Sequence, residues 1–406
     1  MMNTDALDKG ADTPPPKDSL TLESKTDSLP ENSADAPACP RSRWSLSRWV
    51  LSFALIVLGG YFLFLHSYPV VINYPGPTFD VLGKDDKQTP LIEVKGAKTY
   101  PDNNGELRMT TVSSLGGPGS MVSGWDLIVA AFSPNTTILP EDMVYPRNVS
   151  SKDIKKLGVQ QMDQSQLSAE AVALETLGYD VNITWSVAEI AKGSPAAGIL
   201  RKKDVVQTIA RPGQTPLKVH TVEDLRKFLD TVPSGDTVEL GIIRDGAAQT
   251  VSMKTAPVRK ANGKIGKGSQ LSIYLASDVD VPLDITFHLQ DVGGPSAGTM
   301  FALGIVEQLT PEHLTGKSVI AGTGTIDLAG KVGPISGIEQ KMAGAKADGA
   351  KFFLAPAQNC NEVVGNIPKG LTVAKIGTFS EALNVVQKIH DGKTSELPQC
   401  TLPTQK

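Results

Sequence analysis

Asp291–Leu309 reads DVGGPSAGTMFALGIVEQL. Gly293, Gly294 and Pro295 force a turn, and Ala297, Met300, Phe301, Gly304 and Ile305 then share one helical face until Pro311. Pro295 suits the first helical position, where a missing N–H costs nothing. The spacing therefore predicts Ser296 in the first turn of a helix. Pro282–Leu289 (PLDITFHL) has strand composition, so the serine falls on a strand–loop–helix junction. Backbone N–H groups left unpaired at a helix start can stabilise an oxyanion.

A serine nucleophile needs a base. From Ile320 to Pro356 the chain reads IAGTGTIDLAGKVGPISGIEQKMAGAKADGAKFFLAP. Ile320–Ile326 and the KVGPI stretch read as strands, Ile338–Ala347 as a helix, and Lys351–Leu354 as a further strand. Lys341 falls in the first turns of that helix. Thr323, on a preceding strand, carries a hydroxyl able to orient an amine. A free lysine, with a pKa of about 10.4, is almost wholly charged at neutral pH. Tuning it to around 7–8 is worth roughly 3–5 kcal/mol. Burial supplies such a shift by disfavouring the ammonium form, and Ile335, Ile338, Met342, Ala343 and Ala345 make the local sequence apolar. Taken singly, a serine at a Gly-Pro turn is usually a helix cap and a helical lysine is usually solvated.

Gly294-Pro295-Ser296-Ala297-Gly298, Thr323-Gly324, Gly333-Pro334-Ile335-Ser336-Gly337-Ile338 and Lys341, followed by the FFLAP strand, resemble the proteolytic domain of Lon proteases. The resemblance runs over residues 282–356 with the elements in family order. It implies Ser296 as nucleophile, Lys341 as general base and Thr323 as the hydroxyl that helps hold the lysine. Gly293 departs from the family's Asp three residues before the serine, and Ser336 replaces the first glycine of the usual pair. His288 corresponds to a histidine on the strand before the serine, here across a shorter loop.

Gly105–Val112 (GELRMTTV) and Met162–Leu174 (MDQSQLSAEAVAL) resemble an earlier Lon strand and helix. The resemblance implies a split domain, with residues 69–177 as its N-terminal part and 258–392 as the part bearing the catalytic residues. Between them, 178–257 reads as a β-rich module. VNITWSV, DVVQTIA, TVELGII and QTVSMKT have strand composition, and Val222, Leu225, Phe228 and Leu229 mark a helix that Thr221 and Asp224 can cap. GSPAAGILRKKDVV (Gly193–Val206) and VELGIIRDG (Val238–Gly246) resemble bacterial PDZ domains, with Lys203 where that family has Gly. This resemblance implies a groove that accepts a peptide C-terminus as an added strand, its carboxylate loop around Leu177, Gly178 and Tyr179. A structural β-module with a closed groove is the alternative. The order anchor, partial Lon, PDZ, Lon is similar to that of the YlbL-type family of membrane-anchored Lon-like proteases.

The anchor is read from residues 44–68. Trp49–Tyr68 contains no Asp, Glu, Lys or Arg, and twenty residues span about 30 Å, the hydrocarbon thickness of a bilayer. Arg41, Arg43 and Arg48 precede it, and Trp44, Trp49 and Tyr68 suit the interfaces. Positive charge on that side predicts a cytoplasmic N-terminus and an extracytoplasmic catalytic domain. A core helix would not be apolar on every face beside a disordered tail, and no Ala-x-Ala-like site follows Leu65 as a signal peptide would require. Residues 1–43, poor in large apolar groups, are expected to form a disordered tail, and 393–406 a C-terminal tail. Cys39 falls inside. Cys360 and Cys400 fall outside, where they can pair, closing a loop of about 40 residues worth about 4 kcal/mol, or stand as two unrelated thiols.

The 406 residues carry 39 Lys plus Arg against 43 Asp plus Glu, a net charge of −4 that argues against a nucleic-acid binder. Three cysteines and five histidines with no ligand spacing point to no metal and no cofactor. The nearest approach to a P-loop, Gly324…Gly330-Lys331, has the wrong gap and Val332 where Ser or Thr is needed. Chymotrypsin-like PDZ proteases place the PDZ after the protease and use a G-[DN]-S-G-G box, and neither feature is present. Sequons at Asn135, Asn148 and Asn182 read as chance in a chain of bacterial type. The expectation is an α+β, ATP-independent, single-pass membrane serine endopeptidase acting on extracytoplasmic or membrane-associated protein segments chosen by the PDZ-like module. Lon resemblance adds a homo-oligomer, commonly a hexamer. A catalytically inactive, membrane-tethered PDZ adaptor is the competing reading.

Overall fold

The computed structural model describes residues 43–84, 87–100, 105–146, 149–259, 264–289 and 292–402. The expected N-terminal tail up to residue 42, with Cys39 and Arg41, lies outside the described residues, as does Asn148. Two units are distinguished, Met1–Val57 and Leu58–Lys406. The first contributes most of α1 (Arg43–Gly60), and the stretch Arg48–Leu65 is long and apolar enough to cross a membrane by length and composition.

The second unit opens with the end of α1 and a π-helical turn, Tyr61–Leu65, then β1 (Val70–Asp80), β2 (Ile92–Lys95) and β3 (Glu106–Gly116). α2 (Gly124–Phe132), β4 (Thr137–Pro140), α3 (Glu141–Val144) and α4 (Ser151–Thr176) follow. The middle holds β5 (Asn182–Ile190), β6 (Val205–Ala210), β7 (Leu217–Lys218), α5 (Val222–Asp230), β8 (Thr237–Arg244), β9 (Ala247–Lys254), β10 (Ala256–Arg259), β11 (Ile265–Gln270) and β12 (Ile273–Asp280). Then come β13 (Asp284–Phe287), α6 (Gly298–Leu309), β14 (Val319–Gly322), β15 (Thr325–Ile326), β16 (Val332–Gly333) and α7 (Ile338–Ala347). β17 (Phe352–Pro356), α8 (Cys360–Val363), β18 (Thr372–Ile376) and α9 (Phe379–His390) complete it.

One sheet joins strands from both ends of this unit in the order β18-β17-β14-β3-β1-β4. β14 runs parallel to β3 and to β17, and β17 parallel to β18, whereas β1 pairs antiparallel with β3 and β4. Alternation along the strands sorts side chains onto two faces. Ile320, Leu354 and Ala374 enter one core with Met300, Phe301 and Ile305 of α6, and with α4 and α9. Ala321, Phe353 and Val373 enter the other with Ile338, Met342 and Ala345 of α7. Helices α6 and α7 thus cover opposite faces of the sheet. A side chain at Gly344 would put its Cβ 2.5 Å from the Gly76 carbonyl oxygen, so only glycine lets α7 lie this close to β1.

The second sheet, β12-β5-β6-β8-β9 with β7 on β6, encloses a separate core of Trp185, Val187, Ile209, Leu225, Leu240 and their neighbours. The Thr221/Asp224 capping box begins α5 as its sequence suggests. Buried Asp204 receives Arg244 at 2.8 and 2.6 Å, which holds its carboxyl below the usual range. This sheet runs past residue 257, the limit read from sequence, because β12 pairs with β5 along its whole length. As an edge strand with no fully buried residue, β12 carries a weak signal.

The stretch Leu177-Gly178-Tyr179 closes the C-terminus of α4. Gly178, at φ +82°, ends α4: its N–H donates to Glu175 O and that of Tyr179 to Leu174 O. That is a helix C-terminal closure built on a left-handed glycine. The C-terminal segment is docked rather than loose, with Leu397 buried and Cys400 bonded to Cys360 at a Cα–Cα distance of 5.0 Å.

Lys203, where the PDZ pattern has Gly, adopts φ +73°. A side chain in this left-handed region costs about 1–2 kcal/mol, partly offset by the greater unfolded-chain freedom of Gly. Lys203→Gly should therefore raise stability, by about 1 kcal/mol, read as a higher midpoint in denaturant unfolding at unchanged slope.

Candidate active site

Ser296 lies in the tight turn ahead of α6 rather than in its first turn. The helix begins at Gly298 behind Ala297, because Met300 and Phe301 N–H both return to the Ala297 carbonyl. The turn is held from two sides. Gly324 N–H and Thr323 Oγ1 donate to Ser296 O at 2.8 and 3.0 Å, while Ser165 Oγ of α4 donates to Pro295 O at 3.0 Å. A Cβ at Gly298 would stand 2.6 Å from Ser165 Oγ and 2.8 Å from Ile326, so the second glycine of the GPSAG box is required by the close approach of α4 and β15.

Lys341 approaches from the opposite face of the sheet. Its Nζ lies 2.6 Å from Ser296 Oγ and 3.0 Å from Thr323 Oγ1. The meeting point is just beyond Gly322, where β14 stops and Thr323 begins the next turn. The Thr323 hydroxyl spends its proton on Ser296 O, so it accepts from the amine, and a lone pair of neutral Nζ is free to face Ser296 O–H. Lys341 is only 3% exposed, and burial pulls its pKa down from 10.5 to about 7. Desolvation is the sole cause. Glu339 is turned away, accepting from Asn366 Nδ2 at 2.8 Å.

The two groups open onto a cavity of about 750 Å³ lined by Thr110–Ser114 of β3, by Val292, Gly293, Pro295, Ser296 and Ala297, and by Pro334–Ser336. β3 pairs with β14 only as far as Met109, so beyond it Thr110–Gly116 pair with no strand on that side among the described residues. His288 does not line the cavity; its Nε2 lies 3.2 Å from Glu93 Oε2. Gly293 faces Gly158 of α4, whose carbonyl accepts Gly294 N–H at 3.0 Å. Among the described residues, no group of three His, Cys, Asp or Glu side chains is placed to hold a metal ion.

Two residues that sequence reading passed over shape the site. Ser165 was visible only as part of a helix pattern. Asn359, 2% exposed, accepts Ile335 N–H at 3.0 Å and donates to Ile335 O at 2.8 Å, clamping the turn that leads into α7. Neither contact has a local sequence signature, since each reaches across the fold.

A second groove, of about 490 Å³, lies between α5 and β12, lined by Val222, Leu225, Leu229, Leu271, Ile273 and Leu275. Leu177, Gly178 and Tyr179 do not reach it.

Residues 240–389, which contain Ser296, Thr323 and Lys341, match the family described as the Lon protease (S16) C-terminal proteolytic domain. The chain is 30% identical over 154 residues to the Lon protease of Vibrio parahaemolyticus, covering 37% of this chain and 19% of that protein. It is 27% identical over 143 residues to Lon protease 2 of Bacillus subtilis, covering 34% and 25%. It is 38% identical over 95 residues to the Lon protease of Buchnera aphidicola from Acyrthosiphon pisum, covering 23% and 12%. The chain thus spans a quarter or less of the length of these relatives. Solved PDZ domains of SdrC-like proteins are also similar: one from Listeria innocua at 23% identity and TM-score 0.17, covering 21% of this chain and 90% of that one, and one from Listeria monocytogenes at 20%, 0.18, 21% and 85%. The chain is a mixed α+β protein with a Lon-like C-terminal proteolytic domain.

Burying Lys341 has a price in stability with a defined pH dependence. With a folded pKa near 7 and an unfolded pKa near 10.4, the native state binds fewer protons between those values, so stability rises with pH across that window. A methionine at 341 lacks this dependence. The stability gained by Lys341→Met over the parent should be greater at pH 7 than at pH 10.5, by about 3–5 kcal/mol, measured by denaturant unfolding at the two pH values.

Proposed function

We propose that the chain is a membrane-anchored, ATP-independent serine endopeptidase in which Ser296 is the nucleophile and Lys341 the general base. The observation that carries this reading is the 2.6 Å approach of Nζ to Oγ by an amine whose pKa burial lowers to about 7. A neutral amine takes the Ser296 proton as Oγ attacks the peptide carbonyl, and the ammonium then gives that proton to the departing nitrogen. The lysine, neutral again, activates water to release the acyl group. Backbone N–H groups of the turn around Ser296 are suited to the oxyanion. Thr323 orients the amine throughout.

An extended substrate fits the unpaired side of β3 at Thr110–Ser114, pairing its backbone there as an added strand. Residues 70–140 and 319–376 contribute to the same sheet, which supports a two-part protease domain with the β-rich module, residues 182–280, inserted between its halves. The apolar groove between α5 and β12 suits the C-terminal side chain of a bound protein, so the module selects what is cut. Arg48–Leu65 is the anchor, its preceding arginines on the cytoplasmic side and the catalytic unit outside. In place of a P-loop, Asp327–Lys331 forms a tight turn between β15 and β16, with Gly330 N–H donating to Asp327 O.

The full chain in detergent should cleave unstructured casein without nucleotide, and added ATP should leave the rate unchanged. Ser296→Ala and Lys341→Ala should each lower it by about 10²–10⁴-fold. Equal cleavage by both variants would leave only a tethered recognition protein. The parent's rate should climb as pH rises through about 7 and level off above it, since the neutral amine is the active form.

A further inference from the structure

Helix α2 turns one face inward and leaves the other largely exposed. Leu127 and Ala130 pack on Ile72 of β1. Trp125, Ile128, Val129 and Phe132 point outward at i, i+3, i+4 and i+7, with Trp125 50% and Phe132 87% exposed. Its one charged side chain, Asp126, is used to cap the helix, accepting from Ser123 N–H and Oγ. Such a stripe is unfavourable in water.

The position of this helix identifies what covers it. A Cβ at Gly124 would stand 2.7 Å from Phe62 O, so α2 starts directly against the backbone of the π-helical turn Tyr61–Leu65. Trp125 stacks on Phe64 with ring centroids 6.2 Å apart, and Tyr68 N–H donates to Val122 O at 2.9 Å. That turn closes the apolar stretch Arg48–Leu65. If the stretch crosses the bilayer, its last turn lies at the outer boundary between acyl chains and headgroups, and anything packed on it lies at the same depth. Phe62, Phe64 and Leu65 are themselves exposed, so exposed apolar side chains continue from the turn Tyr61–Leu65 onto Trp125 and along α2. A tryptophan where this surface meets the folded unit suits that boundary.

We propose that α2 is a second, interfacial membrane contact, its Trp125–Ile128–Val129–Phe132 face immersed in the outer leaflet so that the catalytic unit is held flat against the lipid. The proposal rests on the anchor reading above and adds a fixed orientation to it.

The test uses the full chain in phosphatidylcholine vesicles, with Trp44→Phe and Trp49→Phe removing the anchor's own emission. Lipid brominated near the headgroup end of its acyl chains should lower the emission of Trp125 roughly twofold. The loss should be absent when Trp125→Phe is added and only buried Trp185 remains. Phe132→Asp should reduce the quenching while the protein still resists extraction by alkaline carbonate. Unquenched Trp125 in a carbonate-resistant protein overturns the proposal and leaves the anchor intact. Extraction by carbonate overturns both. Cross-linking between copies through Phe132→Cys, without quenching of Trp125, makes the face a contact between copies and overturns the proposal as well.

Discussion

A buried amine beside a hydroxyl is the constraint on which the rest of the second unit depends. A lysine in water is an ammonium and has no lone pair to offer. Lys341 is desolvated, and its pKa lowered, by standing on a helix pressed against one face of a sheet, while Ser296 arrives from the turn before a helix on the other face. The two reach each other only past the end of β14, because a longer strand would fill the gap with its own backbone. Thr323 occupies the first position after that strand, where its hydroxyl bonds both the serine's carbonyl and the lysine's amine.

How much of this was legible in the chain divides by range. Ser296, Thr323 and Lys341 each sit in a short pattern of glycine, proline and apolar residues, and their meeting in space follows from elements close in sequence, α6, β14 and, after the short β15–β16 hairpin, α7. The helix start was placed three residues early, at Pro295 rather than Gly298, since Pro295 is compatible with a first turn but Ala297 accepts the first helical bonds. Gly178 shows a related limit: glycine with positive φ serves a binding loop and a helix end equally well, and its place at the end of α4 becomes visible only with the length of that helix. Ser165 and Asn359 act across separations of 130 and 24 residues on backbone atoms, which leave no mark on neighbouring residues. The apolar stretch stood out by composition, whereas the face of α2 gains meaning only from the turn it touches.

The β-rich module enters this frame at little conformational cost. Its first and last strands, β5 and β12, are antiparallel neighbours, and Asn182 pairs with Asp280. The chain therefore leaves α4 and returns to β13 at nearly the same point, and the sheet that carries the site need not adjust to what lies between. Its separate core follows from the same geometry, with Trp185, Leu225 and Leu240 packed on one another rather than on the larger sheet.

Desolvating a lysine is unfavourable, so the surroundings of α7 must prevent the helix from rotating to return its amine to water. Both ends are fixed by groups outside the helix. Before its first turn, Asn359 binds both polar atoms of the Ile335 backbone, and the neighbouring Cys360 is tied covalently to Cys400. After its last turn, Asp348 accepts from Thr78 N–H and Oγ1 at 2.9 and 2.7 Å, with Arg108 3.9 Å away. Between them Gly344 sits against the Gly76 carbonyl, too close for any sideways step. Rotation would break contacts at three separate places to relieve one buried amine. The local instability is thus maintained by the packing of elements from residue 76 to residue 400, and a lysine on a less constrained helix would return to water and to its ordinary charged form.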